Sequence, residues 1–320
     1  FYIIYDKVKK IISVKDSQNI KTTKIFFDNK CSYNVFEIKK AILHNASVHD
    51  CAIISENKLI DEASYQYRYD RGDIVNGPSS ENITLKEGTP RFRKKISANV
   101  FSLLTGGAGK HNYFHWLFDV LPRIAILEKD KNIKTIDYYL LPSLEHKYQQ
   151  QTLKELNIPF SKLLNGEKNK HFSCDKLFVV DHPYNFNNNP SESILNIPQW
   201  IIKWLRKKFE FNNSKNINSF DKIYIDRSDS SHQDKRFITN NHEIREYLKS
   251  VGYHICILSK LSFIEQVQIF RNSRTIIGLH GAGFANIIFS KPGTKVIELQ
   301  SSTAGGVIGN LALQCNLNYK

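Results

Sequence analysis

Hydrophobic and polar positions follow two different rhythms along this chain. Over the first hundred residues, short apolar runs at Lys24 to Phe27, Ala52 to Ser55 and Ser97 to Leu104 stand between polar turns. Asp70-Arg71-Gly72-Asp73 and Asn76-Gly77-Pro78 are two of those turns. Such runs, bounded by turn residues, predict an irregular β-rich segment. From about Lys110 the period lengthens. Phe114, Leu117, Phe118, Leu121, Ile124 and Ala125 share one face of a helix predicted over Tyr113 to Glu128. A strand over Asp137 to Leu141 comes next, then a helix over Glu145 to Leu156 closed by Asn157-Ile158-Pro159, then a strand over Lys176 to Val180. Asn185 to Asn189 with Pro190 reads as a loop and a domain junction. Ile197 to Phe209 is a helix with Trp200 and Trp204 on one face, and Phe211 to Ser219 a polar linker.

Beyond the linker the alternation is regular. Strands at Lys222 to Ile225, His254 to Leu258, Thr275 to Leu279 and Lys295 to Leu299 are separated by helices at His242 to Lys249, Ser262 to Asn272 and Phe284 to Ser290. Ser262 and Glu265 have the spacing of a capping box. Strands separated by helices of this length indicate a right-handed parallel sheet. The fold class is therefore α/β, with two facing Rossmann-like domains. The expected division is a β-rich N-terminal segment over 1–105, packed on a first domain over 106–210, and a second domain over 211–320. No internal repeat is visible.

Composition narrows the function classes. With 41% hydrophobic and 24% charged residues, the chain has the make-up of a soluble globular protein. No apolar run approaches the roughly 18 to 20 residues that span a bilayer. The first residues lack a basic region followed by an apolar one, so no signal peptide is expected within them. The chain contains no methionine, which leaves room for an N-terminal anchor on a longer natural protein. The net charge of +14 favours an anionic partner. It is dispersed in short groups such as Arg91-Phe92-Arg93-Lys94-Lys95, without the signature of a nucleic-acid module, so nucleic acid is not expected. Anionic small substrates or peripheral association with an acidic membrane surface suit it better. Five widely spaced cysteines without a C-x-x-C pair argue against a disulfide framework or structural zinc, and for a reducing cytoplasm.

Candidate chemistry gathers at the ends of the predicted strands, where open α/β sheets bind ligands. The run Thr275 to Leu279 empties into His280-Gly281-Ala282-Gly283 before a helix. Unpaired N–H groups of a first turn, with glycines that allow close approach, make an anion site. Asp226-Arg227-Ser228 comes after another strand, with Lys235 and Arg236 nearby. An arginine fork clamps phosphate oxygens bidentately, although a surface salt bridge to Asp226 or Asp229 would explain it as well. Glu298 ends the last strand, where a carboxylate could accept ribose hydroxyls. In the first αβ block, His115 and Asp119 are neighbours at i and i+4 on a helix. A carboxylate can orient an imidazole and raise its basicity, the arrangement of a general base; the same pair could equally brace an aromatic core. Two ligands without a third make no metal site.

These residues resemble a known family. Asn112-Tyr113-Phe114-His115-Trp116-Leu117-Phe118-Asp119-Val120-Leu121-Pro122-Arg123 is similar to the N-x-x-H-W-x-x-D-x-L-P-R signature of glycosyltransferase family 61. Ile223 to Ser228, Phe263 to Val267, Gly278 to Asn286 and Val296 to Leu299 resemble the same family in the same order. The resemblance runs from about Gly106 to the end. It departs from many relatives after Ser228, where Asp229-Ser230-Ser231-His232-Gln233-Asp234 precedes Lys235, and the first hundred residues match nothing in it. The resemblance implies a GT-B arrangement and inverting transfer of a hexosyl, N-acetylhexosaminyl or pentosyl group from a nucleotide sugar, commonly UDP-linked, to a glycan or lipid-linked glycan. It further implies that Arg227, Ser228, the His280 to Gly283 turn, Asn286 and Glu298 hold the donor nucleotide. His115 and Asp119 would face the acceptor, with Asn112, Trp116 and Arg123 on the same side, and either of the pair could be the base.

Asp226-Arg227-Ser228-Asp229 lacks the D-x-D spacing of metal-dependent enzymes, so no metal or other cofactor is expected; Arg227 and a helix N-terminus would neutralise the leaving diphosphate. The setting expected is surface polysaccharide or capsule synthesis, cytoplasmic or at the cytoplasmic face of the inner membrane. The rival readings are an inactive nucleotide-sugar-binding protein and a basic surface-binding scaffold.

Overall fold

The computed structural model describes residues 8–27, 31–104, 107–184, 189–210, 219–228, 237–301 and 304–320. The chain divides into two compact units, Phe1–Ile201 and Ile202–Lys320. The expected linker after Phe211 and most of the Asn185 to Asn189 loop lie outside the described residues.

The first unit is built on one twelve-stranded mixed sheet. Its centre is His171–Val180, which pairs in parallel with Lys94–Ser102 and antiparallel with Ser32–Lys39 and Ile42–Ser47. Tyr138–Leu141 extends the parallel side beyond Lys94–Ser102. The β-rich N-terminal strands and the strands of the first αβ block therefore share one sheet. Phe36, Ile38, Leu43, Ile53, Val100, Leu140, Phe172 and Leu177 make its core, each at most 1% exposed. Burying such side chains removes about 1.5–3 kcal/mol of apolar exposure apiece, which holds so large a sheet together. Two of the strands run longer than the apolar runs predicted, because sheet pairing recruits polar flanking residues that hydrophobicity does not mark. The predicted Lys24 to Phe27 becomes Ile20–Phe26, and Lys176 to Val180 becomes His171–Val180.

Among the described residues, the second unit carries five strands, all parallel, in the order His254–Ile257, Lys222–Asp226, Thr275–Leu279, Lys295–Leu299, Asn318–Tyr319. The helices Asn241–Ser250, Phe263–Asn272 and Val307–Gln314 lie between them in sequence. Ser262 and Glu265 do form a capping box. Register aligns the strand ends: Ile225 stands opposite Gly278, and Gly278 opposite Glu298. Arg227, His280 and Glu298 thus arrive together at the carboxyl edge. The segment after Gly281 is a 3₁₀ helix, Ala282–Phe289, rather than an α-helix. Among the described residues, no helix is long and apolar enough to cross a membrane.

Candidate functional site

In the first unit the site begins at a helix cap. Asn112 Oδ1 accepts from the N–H groups of Phe114 and His115 at 2.9 and 3.4 Å, starting the helix Tyr113–His115. The helix then widens into one π turn, Trp116–Val120, closed by the Leu121 N–H on the Trp116 carbonyl, and continues as Leu121–Glu128. Such π turns are rare and concentrate at functional sites. Asp119, on that turn, is buried. Its Oδ2 lies 2.8 Å from His115 Nδ1 and 3.8 Å from His182 Nε2, and its Oδ1 accepts the Tyr184 hydroxyl at 2.5 Å.

The charges arise from this geometry. Burial alone would raise the Asp119 pKa, but His115 and then His182 outweigh it and hold the carboxyl well below its usual range. Burial alone would lower His115; the charge and hydrogen bond of Asp119 outweigh it and raise the imidazole. Burial, reinforced by Asp119, pushes Tyr184 up, and burial pushes His182 down. With Asp119 accepting at Nδ1, a neutral His115 carries its proton there and presents a basic Nε2, with 24% of the side chain exposed. Of the other expected residues here, Trp116 is fully buried with Nε1 donating to Thr152 Oγ1 at 2.9 Å. Arg123 is also buried and donates from Nη1 to the Val180 carbonyl at 3.1 Å. Asn112 serves as the cap.

In the second unit the strand Lys222–Asp226 ends on a buried carboxylate. Asp226 Oδ1 accepts from the Ser228 N–H at 3.0 Å and Asn241 Nδ2 at 3.2 Å; Oδ2 takes the Ser228 hydroxyl at 3.1 Å and pairs with Arg245 Nη1 at 3.2 Å. Asp226 is thereby matched by Arg245, leaving Arg227 to cross to the next strand end. There its Nη1 donates to the His280 carbonyl, and its guanidinium lies on Gly281, where an added Cβ would stand 2.8 Å from Arg227 Cζ. Gly281 is extended, so glycine is needed for space rather than for conformation. Gly283 has a similar reason, since a Cβ would come within 2.7 Å of Leu258 Cδ1. Tyr224, Arg227, Ser228, Phe237, Asn241 and Leu279 line a cavity of about 290 Å³.

Two expected donor residues are turned to other partners. Glu298 Oε1 lies 2.6 Å from His280 Nδ1, while Oε2 accepts Gln300 Nε2 at 2.6 Å and the Tyr319 hydroxyl at 2.5 Å. Burial would raise this carboxyl, but those three bonds hold it below its usual range. Its oxygens are engaged within the protein, and through Oε1 it orients His280. Asn286 is fully buried, with Nδ2 on Gln266 Oε1 at 3.0 Å and on the Gly283 carbonyl at 3.3 Å; it braces the turn. Ala282 opens the 3₁₀ helix. Lys235 and Arg236 lie outside the described residues. Among the described residues, no three His, Cys, Asp or Glu side chains are arranged to hold a metal ion.

Sequence reasoning missed His182, Tyr184, Asn241, Arg245, Gln300 and Tyr319. His182 stands just past a predicted strand end, and Arg245 lies on a helix predicted over His242 to Lys249, with Asn241 just before it, so position could have marked them. Tyr184 reaches Asp119 across 65 positions, and no local pattern carries that.

Comparison with known proteins adds four findings. The family model described as Glycosyltransferase 61 matches residues 113–297, more than half of the chain. No curated protein matches it. Among solved structures, the dodecameric iron-containing heptosyltransferase TibC in complex with ADP-D-beta-D-heptose is similar at 14% identity and a TM-score of 0.33, covering 91% of this chain and 80% of that one. A second structure, of the bacterial iron-containing dodecameric glycosyltransferase TibC from enterotoxigenic E. coli, is similar at 13% identity and a TM-score of 0.32, covering 92% and 80%.

Proposed function

The chain belongs to glycosyltransferase family 61 and is a glycosyltransferase, and we propose that it transfers a sugar with inversion from a UDP-linked donor to a glycan hydroxyl in surface polysaccharide synthesis. The observation that carries this reading is the imidazole of His115, backed at Nδ1 by the buried carboxylate of Asp119. His115 is the base: its Nε2 takes the proton of the acceptor hydroxyl, and the oxygen attacks the anomeric carbon as the bond to the diphosphate breaks. Asp119, buried and already holding Tyr184, is a positioning residue that fixes the tautomer and steadies the imidazolium.

The second unit holds the nucleotide. Negative charge developing on the leaving diphosphate is met by Arg227 and by the N–H groups that open the helix Ala282–Phe289, without need of a metal ion. The net charge of +14 suits an anionic donor and an acceptor carried at an acidic membrane surface.

Thermal melting with UDP, GDP, ADP, CMP and UDP-sugars tests the donor class. At about 100 times its Kd a nucleotide contributes roughly 2.7 kcal/mol of stability. A shift selective for UDP and lost in Arg227→Ala is expected; no shift with any nucleotide overturns the donor assignment. Transfer that stops in EDTA and returns with Mn²⁺ would overturn the metal-free step.

A further inference from the structure

A second cavity, of about 780 Å³, lies within the first unit, and Arg123, Tyr65, Tyr67, Asp181 and His182 are among the residues that line it. Arg123 is the one lysine or arginine in its described lining. The residue is 4% exposed, yet among the described residues its guanidinium makes a single hydrogen bond, to the Val180 carbonyl, and its Nε has no partner. Asp119 and Asp181 act on it through their charge, but neither forms an ion pair with it. A guanidinium taken out of water without a matching anion is costly, and natural chains rarely keep one without use.

The acidic groups of the same cavity are differently placed. Asp61 takes the Ser79 hydroxyl. Glu62 takes the Ser13 hydroxyl at 2.6 Å and the Val14 N–H at 2.9 Å. Asp181 Oδ2 takes two donors from Asn34, at 2.7 and 2.9 Å, leaving Oδ1 for a hydroxyl. The carboxylates are matched by donors of the protein, and the arginine is not matched by an acceptor of opposite charge. Tyr65 and Tyr67 stack with centroids 5.5 Å apart on the cavity wall, giving it aromatic faces. The volume is that of a small-molecule site. His182 joins this wall to Asp119, 3.8 Å from its carboxylate.

We propose that this cavity receives an acidic sugar, whose carboxylate or phosphate is held by the Arg123 guanidinium and whose ring lies against Tyr65 and Tyr67. The inference rests on the reading that the first unit carries the acceptor, and it adds that the acceptor is anionic.

The test is calorimetric binding and thermal melting at constant ionic strength with three probes: D-glucuronate, D-glucose 6-phosphate and D-glucose. Glucuronate or the phosphate ester is expected to bind at least about tenfold tighter than glucose, as a charge-assisted pair should; which of the two binds tells carboxylate from phosphate. Arg123→Met should lose that preference while melting at or above the parent temperature, because it removes an unmatched buried charge. Arg123→Lys should fall between them. Equal binding of glucose and both anions, no binding of either anion, or full anion binding by Arg123→Met overturns the proposal. Should Arg123→Met not fold, the three-probe comparison on the parent decides alone. UDP melting in the same samples separates the two readings: a UDP shift without an acid-sugar preference sinks only this inference, and the reverse sinks only the donor assignment.

Discussion

With His115 as the proposed base, Asp119 and His115 should set activity and stability against each other. The folded protein raises the His115 pKa above 6.5, so the protonated imidazole is favoured in the native state. That contribution to stability is complete below 6.5 and is lost as pH rises through the raised value. A base must be neutral to act, so kcat/KM should rise with pH through the same midpoint. The enzyme is therefore expected to gain activity over the interval in which it gives up this part of its stability. Asp119→Asn removes the charge that raises His115. It should lower kcat by about 10²-fold or more and move the midpoint of the pH profile down. Profiles of kcat/KM and melting temperature against pH, on parent and variant, check both halves. A variant with normal turnover, or a midpoint that stays in place, would show that Asp119 does not act through His115.

At the scale of elements, two glycines on one strand and turn have separable duties. Gly278 lies inside Thr275–Leu279, where a Cβ would stand 2.9 Å from Ile225 Cβ on the neighbouring strand. Gly278→Ala should therefore overpack the sheet and cost about 1–3 kcal/mol in chemical denaturation. Gly281→Ala would meet the movable guanidinium of Arg227 instead. It should leave the melting temperature of the unliganded protein nearly unchanged and abolish the UDP shift. The opposite pattern would place the nucleotide elsewhere. The strand, the turn and Arg227 were all legible in sequence, because apolar runs, glycines and a strand-end arginine are local signals. The π turn at Trp116–Val120 was not, since a helix that widens by one residue keeps nearly the same apolar face. The partners of Glu298 were hidden for a related reason: a strand-end carboxylate advertises itself, while the Tyr319 and Gln300 that engage it lie in segments without a periodic signature.

For the whole molecule, legibility tracks how far apart in sequence the pairing partners stand. The second unit keeps a strand–helix–strand rhythm, and the parallel sense of four of its strands could be read from spacing, while the strand Asn318–Tyr319 carried no such signal. The first unit depends on His171–Val180 meeting Ser32–Lys39, a contact between distant segments that spacing does not encode. Each unit has its own sheet and core, so a ligand held in one should stiffen that one. Binding slows exchange of amides that open only in the unliganded unit by the factor 1 + [L]/Kd, about a hundredfold at 100 times Kd. With UDP, peptides covering 222–228 and 275–289 should slow by that factor. Peptides covering 32–47 and 171–180 report the sheet of the first unit and should exchange at their unliganded rate. Hydrogen exchange followed by mass spectrometry measures both sets in one sample. Protection confined to the first unit would move the nucleotide to the Arg123 cavity, and Arg227 would then be left holding the loop between two strands and nothing more.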